Sequence, residues 1–258
     1  AGLATLNNNE INEKKCSGRV EQLEKILFKT SAEGNLGIGH VRWATHGIPN
    51  TINAHPHSSE IVSVVHNGII ENSNDLKKQL ELKGLKFKSQ TDTEVITLLL
   101  TNELKTHQPL DAVHKTLKQL KGSFALGIIF KNFEDIIIGA RRGSPLAVGY
   151  SKDENYLGSD SYALKSMTNK ISYLDDGDIC VLTKDNVSFY DVKKNKINKE
   201  VFILSDDKNV SDKGDYKNFM SKEIFEQPIT ANNCIHEYVD KIRDDINFYN
   251  FPIKPQSI

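Results

Sequence analysis

The feature that most constrains this chain is a change of apolar period near its middle. From Phe124 onward the runs Phe124–Phe130, Ile136–Ala140, Leu146–Tyr150, Asn155–Gly158, Ile171–Leu174, Ile179–Thr183 and Val187–Asp191 read as strands, rich in β-branched and aromatic residues. Gly, Asp, Asn or Lys turns separate them, and only one short helix, Ser161–Met167, interrupts the series. Connections this short join antiparallel neighbours, whereas parallel strands need a crossover of a dozen residues or more. The series therefore predicts antiparallel sheet and excludes an alternating βαβ fold.

Before that change the chain mixes strands and helices. Leu36–Trp43 and Ile61–Ile70 read as strands flanked by turn residues. Leu76–Leu82 is a short amphipathic helix. Asp92–Lys105 is a stronger one, carrying Val95, Ile96, Leu99, Leu100 and Leu104 at helical spacing, with Thr91 and Glu94 placed for a capping box. Pro109–Leu120 is a third, with Pro109 near its start. After Asp191 the chain turns polar up to Lys213, with Val201–Leu204 as an apolar island. Asn218–Gln227 and Ile229–Arg243 read as helices with a break or kink at Pro228, and Phe248–Ile258 reads as linker. The fold class expected is α+β: antiparallel sheets covered by a few helices.

Charge and cysteine content narrow the function. Lys+Arg 33 against Asp+Glu 34 leaves a formal charge of -1, so no global field draws the chain to nucleic acid or an anionic membrane. Cys16, Cys180 and Cys234 stand far apart without a CxxC pair, which fits reduced cytosolic thiols better than disulfides or a zinc knuckle. No run of about 18 apolar residues is present, and AGLATLNNNE lacks the charged and apolar regions of a signal peptide. A cytoplasmic protein without membrane or nucleic-acid partners is expected.

Several positions are candidates for chemistry. His40, His46, His55, His57 and His66 cluster in sequence, but without HExxH or a helical His pair they favour loop-fixing hydrogen bonds over a metal site. Arg42 follows a strand and would present a bidentate fork to a small carboxylate, or pack along a strand edge. Asn67-Gly68 between apolar runs favours a type I′ hairpin turn; its alternative is an oxyanion hole made of a side-chain amide and a backbone N–H. Asp92 opens a helix, where the dipole and the helix N–H groups favour a carboxylate; such a carboxylate would also hold an ammonium group. None of the cysteines reads as a nucleophile. Cys180 is expected to be a buried hydrophobe, and Cys16 and Cys234 lie in polar surroundings.

Taken in order, GIGHVRWATHG (37–47), NAHPH (53–57), VVHNGIIEN (64–72), TDTEVI (91–96), KGSFALGII (121–129) and GARRGSPL (139–146) resemble one domain. It is the glutaminase domain of the glutamine–fructose-6-phosphate aminotransferase family, within the class II glutamine amidotransferases. MSKEIFEQP (220–228) resembles the segment that leads into that family's sugar-isomerising half, so the resemblance covers nearly the whole chain. It implies an N-terminal-nucleophile hydrolase sandwich of two antiparallel sheets between helical layers. It divides the chain into a glutaminase domain at 1–213 and a helical linker at 214–258.

The same resemblance assigns roles. Arg42 would bind the glutamine α-carboxylate and Asp92 its α-ammonium, Asn67 and Gly68 would stabilise the oxyanion, Thr45 and His46 would line the substrate loop, and Trp43 would help close the site. No cofactor or metal is implied. The family's nucleophile is an N-terminal cysteine, and this chain opens at the Ala-Gly that follows the family's cysteine-bearing first strand. The resemblance therefore places the nucleophile, that strand and the isomerase domain in parts of a homo-oligomeric parent outside this sequence, and implies that this chain alone is inactive. The parent would make glucosamine 6-phosphate and glutamate from fructose 6-phosphate and glutamine. Two readings compete: a glutamine-binding module that catalyses nothing, and an amidotransferase with a different acceptor.

Overall fold

The computed structural model describes residues 1–42, 47–204, 213–240 and 245–246. The chain divides into two units, Ala1–Leu204 and Ser205–Ile258. In chain order the first contains β1 (Gly2–Asn7), β2 (Glu10–Lys15), α1 (Val20–Lys29), β3 (Leu36–His40), β4 (His57–Ser58), β5 (Val62–Ile70), α2 (Ser73–Leu82), α3 (Thr93–Glu103) and α4 (Pro109–Leu117). It continues through β6 (Gly122–Phe130), β7 (Phe133–Arg142), β8 (Ala147–Tyr150), β9 (Asn155–Gly158), α5 (Ser161–Leu164), β10 (Lys170–Tyr173), β11 (Ile179–Leu182), β12 (Val187–Tyr190), β13 (Lys196–Ile197) and β14 (Phe202–Ile203).

A seven-stranded sheet in the order β13-β12-β11-β7-β6-β5-β4 is the centre of the fold. Its pairings are antiparallel throughout. The run GSFALGIIF of β6 is buried along most of its length because both faces of this central strand are covered. On one face, Val62, Val64, Leu126, Ile128 and Ile138 meet Leu76 and Leu80 of α2, Val95, Ile96, Leu99 and Leu100 of α3, and Val113 and Leu117 of α4. Each such side chain contributes about 1.5–3 kcal/mol by leaving water. The other face packs on two smaller sheets. β2-β1-β3 reaches it through Ala4, Leu6 and Ile38 against Ile129, and β14-β10-β8-β9 through Leu146 and Val148 against Ala125, Cys180 and Leu182. Outside these, Leu23 of α1 covers Ala1 and Cys16, and Leu164 of α5 covers Ala147 and Ile171. The order of layers is helix, sheet, sheet, helix, as expected for the α+β sandwich.

The second sheet layer is interrupted. β3 and β9 are each the last strand of their small sheet, and both line one cavity of about 490 Å³ through Gly37–Val41 and Asn155–Gly158. Its floor is Val65, Ala125, Gly127 and Ile137 of the large sheet. A second cavity, walled by Asn35–Gly37 and Asp153–Tyr156, continues the trough at its far end.

Several local expectations are corrected. Asn67-Gly68 is not a hairpin turn: both residues lie inside β5, opposite Ala125 and Phe124 of β6. The type I′ signature occurs instead at Asn8 and Asn9, with φ of 49° and 65°, joining β1 to β2. The sequence reading assigned no element there, although GLATLN has the alternation of a half-buried strand. Cys16 is buried beneath α1, not in polar surroundings, because the β1–β2 hairpin gives it a helix to pack against. Pro228 does not break the following helix. α6 (Phe219–Tyr238) runs through it, since a helix accommodates a proline at the loss of one backbone hydrogen bond. In that second unit, β15 (Val239–Asp240) pairs antiparallel with β16 (Asp245–Ile246).

Candidate active site

Beside the trough a cavity of about 290 Å³ is lined by His40, Val41, Arg42, His55, His66, Asn67, Gly68, Ile69, Thr91, Asp92 and Thr93. A space at the small end of the usual ligand range of roughly 300–1,000 Å³ suits an amino acid and is small for a nucleotide. Three elements build it. β3 ends at His40 and delivers Arg42 two residues on, the middle of β5 supplies Asn67 and Gly68, and the start of α3 supplies Asp92 and Thr93.

Each residue is held by identifiable contacts. Asp92 is buried, and its Oδ2 accepts a 2.8 Å hydrogen bond from the backbone N–H of Ile70. That bond fixes the carboxylate to the sheet, which corrects the expectation that helix N–H groups hold it; Asp92 is the N-cap of α3 but its side chain makes no cap bond. The Thr91–Glu94 capping box is likewise absent. Glu94 accepts from the backbone N–H groups of Lys88 and Ser89 at 2.8 and 2.6 Å, and the Thr91 hydroxyl pairs with His57 and Ser89. These side chains satisfy the loop entering the helix, where buried donors outside the helix compete for the carboxylate.

Arg42 donates to the carbonyls of Ile48 and Gly47, both at 3.4 Å. Partial burial pulls its pKa below the ordinary value, and the charge of Asp92 opposes that fall. A cation and an anion thus face one small cavity, the pattern that an α-amino acid zwitterion requires. The Gly47–Ile48 segment is held in turn by Asn53, whose Nδ2 donates to Ile48 O at 2.9 Å and to Gln90 Oε1 at 3.2 Å.

Gly68 has φ +126°, and a Cβ there would stand 2.1 Å from the Ser123 carbonyl oxygen, so only glycine fits this point of the strand. Asn67 turns its Oδ1 to His40 Nε2 at 2.8 Å. Of the sequence-nominated residues, Arg42, Asn67, Gly68 and Asp92 come together. Trp43, Thr45 and His46 lie outside the described residues. The structure adds His40, His55, His66, Thr91 and Thr93 to the cavity wall. His40, His55, His57 and His66 form hydrogen bonds with Thr91, Thr93, Asn67 and one another, as the loop-fixing reading expected. Thr93 had no distinguishing signal in the sequence. Burial pushes His40, His55 and His57 toward the neutral form, strongly for His55 and to about 3 for His57. Neither Cys16 nor Cys180 lines the cavity, and complete burial pushes the Cys180 thiol up to about 12.

The sequence profile described as "Glutamine amidotransferase domain" matches residues 45–166. That segment is therefore similar to a glutamine amidotransferase domain. Two relatives named glutamine–fructose-6-phosphate aminotransferase (isomerizing) are close over most of this chain: one from Zymomonas mobilis, 43% identical over 95% of it, and one from Mesorhizobium japonicum, 46% identical over 93%. The chain spans 41% and 40% of their lengths. Among solved structures, the glutamine phosphoribosylpyrophosphate amidotransferase of B. subtilis superposes with a TM-score of 0.63 at 25% identity, over 76% of this chain and 43% of that one. Residues of the first unit therefore have the sandwich fold expected from the sequence. No described helix is long and apolar enough to cross a membrane.

Proposed function

We propose that this domain binds L-glutamine and is the ammonia-releasing part of an enzyme that aminates fructose 6-phosphate to glucosamine 6-phosphate, with glutamate as co-product. The observation that carries this reading is the convergence of Arg42, Asp92, Asn67 and Gly68 on one amino-acid-sized cavity. Arg42 takes the α-carboxylate and Asp92 the α-ammonium, which leaves the side-chain amide directed along β5 toward Asn67. A thiolate attacks the amide carbon, and the Asn67 side-chain N–H and Gly68 backbone N–H hold the resulting oxyanion. The nitrogen then takes a proton and leaves as ammonia, and water releases glutamate from the acyl-enzyme.

We assign the nucleophile to a cysteine at the head of an extended segment seated in the trough between β3 and β9. Those two open edges offer backbone partners on both sides, and the trough shares His40, Val41, His66 and Asn67 with the binding cavity. A strand lying there would bring its first residue to Asn67. On this reading residues 1–213 are the glutaminase domain and 214–258 lead to a sugar-isomerising domain in a cytoplasmic, oligomeric parent.

The test is steady-state kinetics of the complete protein. Arg42→Ala is expected to raise KM for glutamine at least about tenfold while synthesis from free ammonia continues; unchanged glutamine kinetics would remove the carboxylate role. Asn67→Ala is expected to lower kcat by about 10²–10³.

A further inference from the structure

A line of hydrogen bonds runs from the interior to the candidate oxyanion donor. His66 Nδ1 lies 3.0 Å from Thr93 Oγ1, Thr93 Oγ1 2.7 Å from His55 Nε2, His55 Nδ1 3.2 Å from His40 Nδ1, and His40 Nε2 2.8 Å from Asn67 Oδ1. His55, His66 and Thr93 are buried, and burial holds the His40 and His55 rings toward the neutral form. A neutral imidazole carries one N–H and one bare nitrogen, so each ring must accept on one side and donate on the other.

That rule couples every proton in the line. With Asn67 Oδ1 as acceptor, His40 carries its proton on Nε2 and its bare Nδ1 accepts from His55 Nδ1–H. The bare His55 Nε2 then accepts the Thr93 hydroxyl proton, and the Thr93 oxygen accepts from His66 Nδ1–H. Each bond is satisfied in one direction. Any other complete arrangement reverses the bonds from Thr93 through His55 and His40 together and requires the Asn67 amide to turn over, placing Oδ1 where an oxyanion would form. Asn67 stands in the first orientation, and among the described residues no protein acceptor engages its Nδ2, which leaves those N–H groups to the cavity.

We propose that the His66–Thr93–His55–His40 line is a positioning device for the Asn67 amide, with His40 as its terminal positioning residue, holding Oδ1 away from the reacting carbonyl so that Nδ2 faces it. This rests on the glutaminase reading, and it deepens that reading by adding residues that act through Asn67. A pair of neutral rings at His40 and His55 transmits orientation and adds no charge beside an oxyanion.

The test is a double-mutant cycle in the complete protein, with ring tautomers read separately. His40→Asn keeps a polar atom near Nδ1 but loses the donor at Nε2, whereas His40→Gln retains a donor there. His40→Asn is expected to lower kcat at least about tenfold with KM for glutamine nearly unchanged, and His40→Gln to recover most of the loss. In an Asn67→Ala background His40→Asn should cost no further kcat, since the group it positions is gone. Equal losses in both backgrounds, or a change confined to KM, would overturn the proposal. Nitrogen NMR of the histidine-labelled protein is the independent reading: His40 should be protonated at Nε2 and His55 at Nδ1. The opposite tautomers would overturn the device whatever the activity. Tautomers as stated in a protein that does not hydrolyse glutamine would leave the hydrogen-bonded line standing and refute the glutaminase reading.

Discussion

At the scale of single residues, the site separates what sequence can encode from what only packing reveals. That Arg42, Asn67, Gly68 and Asp92 come together at one cavity was legible because their order matches that of a known domain. How they are held was not legible. Asp92 is fixed by Ile70 N–H of a neighbouring strand, and nothing within the helix sequence announces a partner 22 positions away. Gly68 shows the same limit from the other side. Asn-Gly is a hairpin signature by local preference, but here the glycine serves close approach, with its missing Cβ 2.1 Å from Ser123 O. Gly68→Ala should therefore destabilise the β5–β6 pair by about 1–3 kcal/mol or more through strain at positive φ. A fall in the urea midpoint with the slope unchanged would show it, and an unchanged midpoint would mean the strand accommodates a side chain.

At the scale of elements, period and turn chemistry carried most of the information. The strands after Phe124 and the helices α2, α3 and α4 were legible because each buries one periodic face or, for β6, a continuous apolar run. The β1–β2 hairpin was missed although β1 alternates, because its partner β2 (EINEKK) is polar and buries none of its residues. Its turn is the testable part. Asn9 at φ 65° suits glycine but not a β-branched residue, and its Oδ1 accepts from the Asn132 N–H at 2.7 Å, so Asn9→Gly should cost about 1 kcal/mol or less and Asn9→Val more than Asn9→Gly, measured by thermal melting. The approach to α3 supplies a second case. Removing the Glu94 carboxylate leaves the N–H groups of Lys88 and Ser89 without their acceptor, so Glu94→Ala should cost about 1–3 kcal/mol and loosen the loop that carries Thr91. Amide exchange at residues 88 and 89 reports it directly; continued protection would show that another acceptor replaces the carboxylate.

At the scale of the whole molecule, the buried histidines make stability depend on pH. His57 protonates near 3 in the folded state against 6.5 when unconstrained, chiefly because burial disfavours the charged ring, and His40 and His55 shift the same way. Between those values the unfolded chain binds more protons than the folded one. Stability therefore falls as pH drops below about 6.5, by up to about 1.4 kcal/mol per pH unit for each such group. Urea midpoints measured from about pH 7 to pH 4 should decline, and His57→Gln should make the decline shallower; a flat profile would mean that the rings protonate without leaving their sites.

The interrupted sheet layer has a consequence of a different kind. If a strand from elsewhere completes it, the domain is a receptor for its own missing piece, and the two need not be joined covalently. Supplied on separate polypeptides, receptor and strand would regain glutamine hydrolysis only on meeting, so that turnover would scale with the product of their concentrations. The trough would then make this domain a reporter of molecular encounter, with released ammonia as its signal.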